Sequence, residues 1–179
     1  SAASDVYKRQ NDFIIESNPI KQVVILAGGL GIRMKEMTVD TPKPMVMVGD
    51  IPVVQHLINI FEKYDKFEFI ICSGYLSSVL EEYFASFSNV KVIYTGESTN
   101  TGGRVFKCKD ILDKEFIVTY GDGLANVNIQ KLVDFHHSHN KIGTITVAKP
   151  VSRVGIVDFN SNYEVFNFIE KPKLDNYIN

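Results

Sequence analysis

The stretch Val23-Val-Ile-Leu-Ala-Gly-Gly-Leu-Gly-Ile-Arg33, with Pro42-Lys43-Pro44 close behind, constrains this chain more than any other. Apolar, largely β-branched residues run without alternation into a glycine-rich turn. That pattern predicts a parallel strand over Gln22–Leu26, buried on both faces. Glycines after it let successive backbone N–H groups converge on an anion without interference from a Cβ. Arg33 and Lys43 add fixed positive charge, so the stretch is expected to cradle a phosphate. Taken alone, the turn fits a purely structural strand-to-helix connection equally well. Residues 27–51 form a long connection of the kind that is either functional or unstructured, and phosphate-binding residues at its start favour function.

The rest of the chain sets this strand in a repeating pattern. Residues 1–20 are polar and aperiodic and read as a disordered or artefactual lead-in, with 21–179 as one domain. Pro52 suits a helix start, and Val54, Leu57, Ile58 and Phe61 make one apolar stripe. A strand over 67–72 is broken by Ser73-Gly74. Ser77 or Ser78 is placed to cap a helix with an inner face of Val79, Leu80, Tyr83 and Phe84. A strand over Val90–Tyr94 leads into a polar loop over 95–104 and a short helix over 105–112. A strand over 116–120 runs into Gly121-Asp-Gly123. Ile129, Leu132, Val133 and His136 mark a helix ending near residue 140, and 142–148 reads as another strand. Segments 154–159 and 163–169 flank the turn Asn160-Ser-Asn162 and read as a hairpin or two short strands. Strand–helix alternation predicts an α/β fold, a mostly parallel sheet with helices on both faces. In such sheets ligands sit beyond the carboxyl ends of strands, where the loops after Leu26, Tyr94 and Tyr120 should converge.

Charge and cysteine usage narrow the possibilities. A net charge of −2 argues against a nonspecific nucleic-acid binder but leaves a nucleotide substrate open, because phosphate binding needs only local charge. Cys72 and Cys108 have no metal-site spacing and read as packing residues in a reducing cytoplasm. No apolar run approaches the ~18 residues of a membrane span, and no signal-peptide h-region is evident. His136-His137-Ser-His139 lacks a carboxylate or cysteine to complete a metal site, so His136 reads as a packing residue and the others as solvated.

Two phosphate motifs are excluded. Gly31 is followed by Ile32-Arg33 and not by the lysine of a Walker A loop. Met34 stands where a dinucleotide fingerprint needs glycine or alanine, which removes a nicotinamide dehydrogenase. Instead, Leu26-Ala-Gly-Gly-Leu-Gly-Ile-Arg33, Pro42-Lys-Pro-Met45, Thr101-Gly-Gly-Arg104, Tyr120-Gly-Asp-Gly123 and Glu170-Lys-Pro172, in that order, closely resemble the signature of the sugar-1-phosphate nucleotidyltransferases. The wording Thr119-Tyr-Gly-Asp-Gly123 and Thr101-Gly-Gly-Arg104 is most similar to the glucose-1-phosphate cytidylyltransferase subgroup, and Phe69-Ile-Ile-Cys-Ser-Gly-Tyr75 and Asp134-Phe-His136 agree with it.

That resemblance implies a three-layer, Rossmann-like sheet and a defined chemistry. A sugar-1-phosphate oxygen attacks the α-phosphorus of a nucleoside triphosphate in line, and pyrophosphate leaves. Positioning and charge neutralisation do most of the work. The backbone of Leu26, Ala27, Gly28, Gly29, Leu30 and Gly31 should hold the nucleotide, and Arg33 should neutralise the pyrophosphate. Ile32 stands where threonine is usual, keeping the backbone N–H but losing a hydroxyl. Lys43 should reach the α-phosphate and the sugar phosphate, and Asp122 should bind Mg²⁺. Thr99, Arg104 and Gly121 match nucleotide-binding positions, while Glu170 and Lys171 match a sugar-phosphate-binding pair. Bland alternatives are a turn aspartate for Asp122, ordinary loop polarity for Thr99 and Arg104, and a surface ion pair for Glu170–Lys171.

The substrates so implied are CTP and glucose-1-phosphate, giving CDP-glucose for cell-surface polysaccharide (O-antigen) biosynthesis in the cytoplasm. UTP, dTTP or GTP and another sugar phosphate stay open, as does a non-catalytic regulatory module that binds sugar nucleotides. Neither nucleic acid nor membrane is an expected partner, and a homo-oligomer is left open. Members of the family continue past residue 179, so the fold is expected to be incomplete at its C-terminus, without a second metal aspartate and part of the sugar pocket. Little or no turnover is expected of the chain itself.

Overall fold

Successive strand residues point to opposite faces of a sheet, so a strand apolar at every position needs cover on both. Strand β1, Gln22–Leu26, is buried throughout. Val23 and Ile25 enter one apolar cluster, while Val24 and Leu26 enter another. The computed structural model describes residues 20–29, 40–139, 141–175 and 177–178. The expected lead-in over 1–19 and the positions Leu30, Gly31, Ile32 and Arg33 lie outside them.

The described residues divide into two compact units, one up to His137 and one from Ser138 onward. The first holds β1, the short strands β2 (Met47–Val48) and β3 (Ile51–Pro52), and helix α1 (Val53–Glu62). Strand β4 (Glu68–Ser73), helix α2 (Ser77–Phe84), strand β5 (Val90–Tyr94), helix α3 (Thr101–Lys107), strand β6 (Ile117–Tyr120) and helix α4 (Ile129–His137) follow. Four strands form a parallel sheet in the order β5-β4-β1-β6. Val54, Leu57, Ile58 and Phe61 of α1, Leu80 and Phe84 of α2, and Ile129 of α4 pack on the face of Val23 and Ile25. Cys108, Val105 of α3 and Leu112 pack on the face of Val24, Leu26, Ile70 and Cys72. The result is the expected three-layer, Rossmann-like α/β architecture. Phe61, Phe67 and Phe69 meet edge-on or tilted at centroid distances of 5.7–6.3 Å, the arrangement that aromatic quadrupoles favour.

The chain builds the sheet outward from β1 through β4 to β5, then crosses back to lay β6 on the other side of β1. The growth direction therefore reverses between β1 and β6. Strands that diverge at such a switch point open a crevice beyond their carboxyl ends.

Several local expectations need correction. The connection over 27–51 carries structure of its own: a 3₁₀ turn over Lys43–Met45 and the antiparallel pair β2–β3. Gly49, at φ 66°, opens the two-residue turn between those strands, a conformation glycine reaches at no steric cost. The polar loop stops at Asn100, because Asn100 Oδ1 accepts from Gly103 N at 2.8 Å and starts α3 four residues early. A 3₁₀ turn over Lys109–Ile111 replaces the rest of the helix expected over 105–112. Neither Ser77 nor Ser78 caps α2. Leu76, at φ 55°, precedes the helix, and the Ser77 hydroxyl donates to Glu81 Oε1 at 2.6 Å.

In the second unit, β7 (Ile156–Phe159) and β8 (Val165–Ile169) form the expected antiparallel hairpin. Asn160 Oδ1 accepts from Asn162 N and Glu164 N and shapes its turn. Residues 142–148 are not a strand. A strand exists through its partner's hydrogen bonds, and among the described residues only the bridge between Ala148 and Ile178 pairs this segment. No helix of the described residues is long and apolar enough to cross a membrane.

Candidate active site

Loops at the carboxyl ends of β1, β5 and β6 surround a cavity of about 570 Å³. Leu26, Ala27, Gly28 and Gly29 form one wall, Lys43 and Pro44 another, and residues 97–101 a third; Arg104, Tyr120 and Asp122 complete the lining. The strand ladder continues one step into this region: Ala27 N donates to Cys72 O, and Gly121 N donates to Leu26 O, each at 3.0 Å.

The turn that carries Lys43 is held by its prolines and its neighbours. Pro42 O accepts from Met45 N at 2.7 Å, while Pro44 and Met45 are buried as anchors. Gly121 allows this turn to close on β6, since a Cβ there would lie 3.2 Å from both Ile25 Cγ2 and Pro44 Cγ. Lys43 and Asp122 then meet as an ion pair at the cavity wall.

The third wall is fixed from beneath. Thr95 is buried, and its hydroxyl donates to Ser73 O at 2.6 Å. Thr99 Oγ1 donates to Thr95 O at 2.6 Å and accepts from Lys107 Nζ at 3.0 Å. Lys107 Nζ also donates to Thr95 O at 2.7 Å. Arg104, only 5% exposed, extends from α3 under the loops. Its Nη1 donates to Ser73 O at 2.8 Å and Thr95 Oγ1 at 2.7 Å. Its Nη2 donates to Gly28 O at 2.7 Å and Glu97 O at 3.2 Å. Burial pulls the Arg104 guanidinium below its ordinary range. Burial, and then the hydrogen bond to Cys108, push the Cys72 thiol up to about 12. Both cysteines are buried, with their sulfurs 3.5 Å apart, so Cys72 and Cys108 are packing residues.

Of the residues singled out from sequence, Leu26, Ala27, Gly28, Gly29, Lys43, Thr99, Arg104 and Asp122 line one cavity, and Gly121 is buried beside it. Glu170 and Lys171 belong to the second unit, where they form an exposed ion pair at 3.7 Å. Glu97, Ser98, Asn100, Thr101 and Tyr120 also line the cavity and were not singled out. Asn100 carried a readable signal, since asparagine is a favoured N-cap. His136 and His137 flank Glu115 at 3.9 and 3.4 Å. Among the described residues, no group of three or more histidines, cysteines and acids is placed to hold a metal.

A family model, "Nucleotidyl transferase", matches residues 22–179. The glucose-1-phosphate cytidylyltransferase of Salmonella typhimurium is 36% identical over 181 residues, which cover 86% of this chain and 70% of that protein. The probable glucose-1-phosphate cytidylyltransferase of Bacillus subtilis is 33% identical over 183 residues, 88% of this chain and 72% of that one. Among solved structures, HddC from Yersinia pseudotuberculosis complexed with GMP-PN superposes with a TM-score of 0.60 at 25% identity, covering 86% of this chain and 71% of that one. A phosphate-cradle sequence, a switch-point cavity bearing a lysine and a carboxylate, and these matches agree: the chain belongs to the nucleotidyl transferase family.

Proposed function

We propose that this chain carries the site for transfer of a cytidylyl group from CTP to glucose-1-phosphate, forming CDP-glucose and releasing pyrophosphate. The observation that carries the reading is the meeting of Lys43 and Asp122 at a cavity walled by the glycine backbone of the β1 loop. Binding, in-line attack and leaving-group departure need a phosphate cradle, a mobile cation and a metal carboxylate. They need no protein nucleophile.

In this reading the backbone from Leu26 to Gly31 holds the nucleotide and Arg33 neutralises the pyrophosphate. Lys43 stabilises charge on the α-phosphate as a sugar-phosphate oxygen bonds to phosphorus and the bond to pyrophosphate breaks. Gly121 gives the Lys43 turn its room, and Thr99 borders the nucleotide. Glu170 and Lys171 serve the sugar phosphate. Mg²⁺ would be held by Asp122. A single carboxylate suits this ion, which takes its remaining oxygens from substrate phosphates and water. When bound, it neutralises charge developing on the phosphates.

The cytosine assignment rests on the Salmonella and Bacillus relatives. HddC complexed with GMP-PN supports guanine as the second reading. Equilibrium binding of CTP, UTP, dTTP and GTP, with pyrophosphate release measured for each beside glucose-1-phosphate, separates them. CTP should bind most tightly and release pyrophosphate. A clear preference for GTP would replace the base, while binding of a triphosphate without release in any pairing would favour a non-catalytic binding module.

A further inference from the structure

Arg104 stands at the cavity, yet its chemistry is directed into the protein. The four N–H donors of its two terminal nitrogens go to Ser73 O, Thr95 Oγ1, Gly28 O and Glu97 O. Those acceptors sit on the chain leaving β4, β5 and β1 and on the loop after β5. Thr95 is already bonded to Ser73 O through its hydroxyl and its backbone N–H, and among the described residues the Arg104 side chain adds the tie from this pair to Gly28 O and Glu97 O. Its immediate neighbours leave no slack. A methyl group at Gly28 would fall on the guanidinium, and one at Gly74 would lie 2.7 Å from Gly28 O and 3.0 Å from Arg104 Nη1. No carboxylate among the described residues pairs with Arg104.

We propose that Arg104 is a positioning residue, a four-point clamp that holds the glycine loop after β1 in register with the loops after β4 and β5. The inference rests on the nucleotide-site reading above and refines it. The motif resemblance implies a direct nucleotide contact for Arg104, whereas the geometry assigns its donors to the backbone that shapes the site. The planar guanidinium is essential to this role. Lysine keeps the charge but presents three donors from a single point and cannot span four acceptors. Thr95 supplies an independent handle, because it is 1% exposed and absent from the cavity lining, so altering it touches no ligand directly.

The test compares Arg104→Lys, Thr95→Val and the double variant with the parent chain. In the ligand-free protein, amide hydrogen exchange should quicken at Gly28, Gly29, Gly74, Gly96 and Glu97 in all three variants and stay unchanged in α1. CTP affinity should fall by about tenfold in Arg104→Lys, the scale expected when a charge-assisted hydrogen-bond set is broken, and fall in the same direction in Thr95→Val. The double variant should be little worse than Arg104→Lys, since both changes open one clamp. Parent-like CTP binding and exchange in Arg104→Lys would overturn the proposal and leave charge as the residue's contribution. So would losses that simply add in the double variant. If the parent binds no triphosphate, the nucleotide reading fails, and the exchange pattern alone still decides for or against the clamp.

Discussion

At the scale of single residues, Lys43 and Asp122 neutralise one another in the ligand-free chain. Their side chains are 39% and 32% exposed, so water screens the attraction. Pairs of this kind contribute about 0.2–1 kcal/mol, little enough for a ligand to part them. Occupancy of Asp122 by Mg²⁺ would release Lys43 towards a phosphate, which links the metal to the cation through one shared carboxylate. Asp122→Asn tests this link, because it removes the proposed metal ligand and frees the lysine together. CTP binding in EDTA should tighten by up to about fivefold, the factor that corresponds to a pair energy of about 1 kcal/mol, while the increment given by Mg²⁺ in the parent should vanish. Isothermal titration with and without Mg²⁺ reads both quantities. Weaker metal-free binding in the variant would show that the pair does not hold Lys43 away from phosphate.

At the scale of elements, α3 is short and yet carries both anchors of the third wall. Arg104 and Lys107 stand three positions apart, so they share a face of the helix, and both reach the loop over 95–99. A helix of seven residues has little stability of its own, which makes its cap matter. Replacing Asn100 with alanine removes the acceptor for Gly103 N and should cost about 1 kcal/mol. Thermal unfolding should register that loss as a lower Tm. An unchanged Tm would mean that α3 is held by Arg104 and Lys107 alone. The same helix shows what a local reading can and cannot see. The cap was visible in Asn100-Thr101-Gly102, but two successive glycines disguised the first turn as loop. The partners of Arg104 were not visible at all, since Gly28, Ser73 and Thr95 come together only when β1, β4 and β5 pair. Strand β1 was legible end to end because burial on both faces wrote itself into consecutive residues. The strand expected over 142–148 failed for the opposite reason: apolar, β-branched composition signals a strand, but a partner has to supply the ladder.

At the scale of the whole molecule, the two compact units differ in how they are stabilised. The central sheet encloses side chains such as Phe69, Ile70 and Ile71 that are at most 1% exposed, and β1 is hydrogen-bonded on both sides by β4 and β6. Among the described residues the hairpin β7–β8 has only one ladder, and Phe159, Val165, Phe166 and Phe168 remain exposed on it. A lone two-stranded hairpin is marginal in water, whereas amides at the centre of a parallel sheet open only with the global transition. Native-state hydrogen exchange should therefore find amides of Ile156–Phe159 and Val165–Ile169 exchanging at least about a thousandfold faster than those of Val23–Ile25 and Phe69–Ile71, a gap well inside the 5–15 kcal/mol stability of an ordinary domain. The hairpin carries the segment leading to Glu170 and Lys171, so adding glucose-1-phosphate should slow its exchange if those two residues receive the sugar phosphate, while the central sheet stays as it was. Equal protection of hairpin and sheet without ligand would mean that residues 138–179 unfold in one cooperative step with the sheet and that the second unit is not an independently opening element.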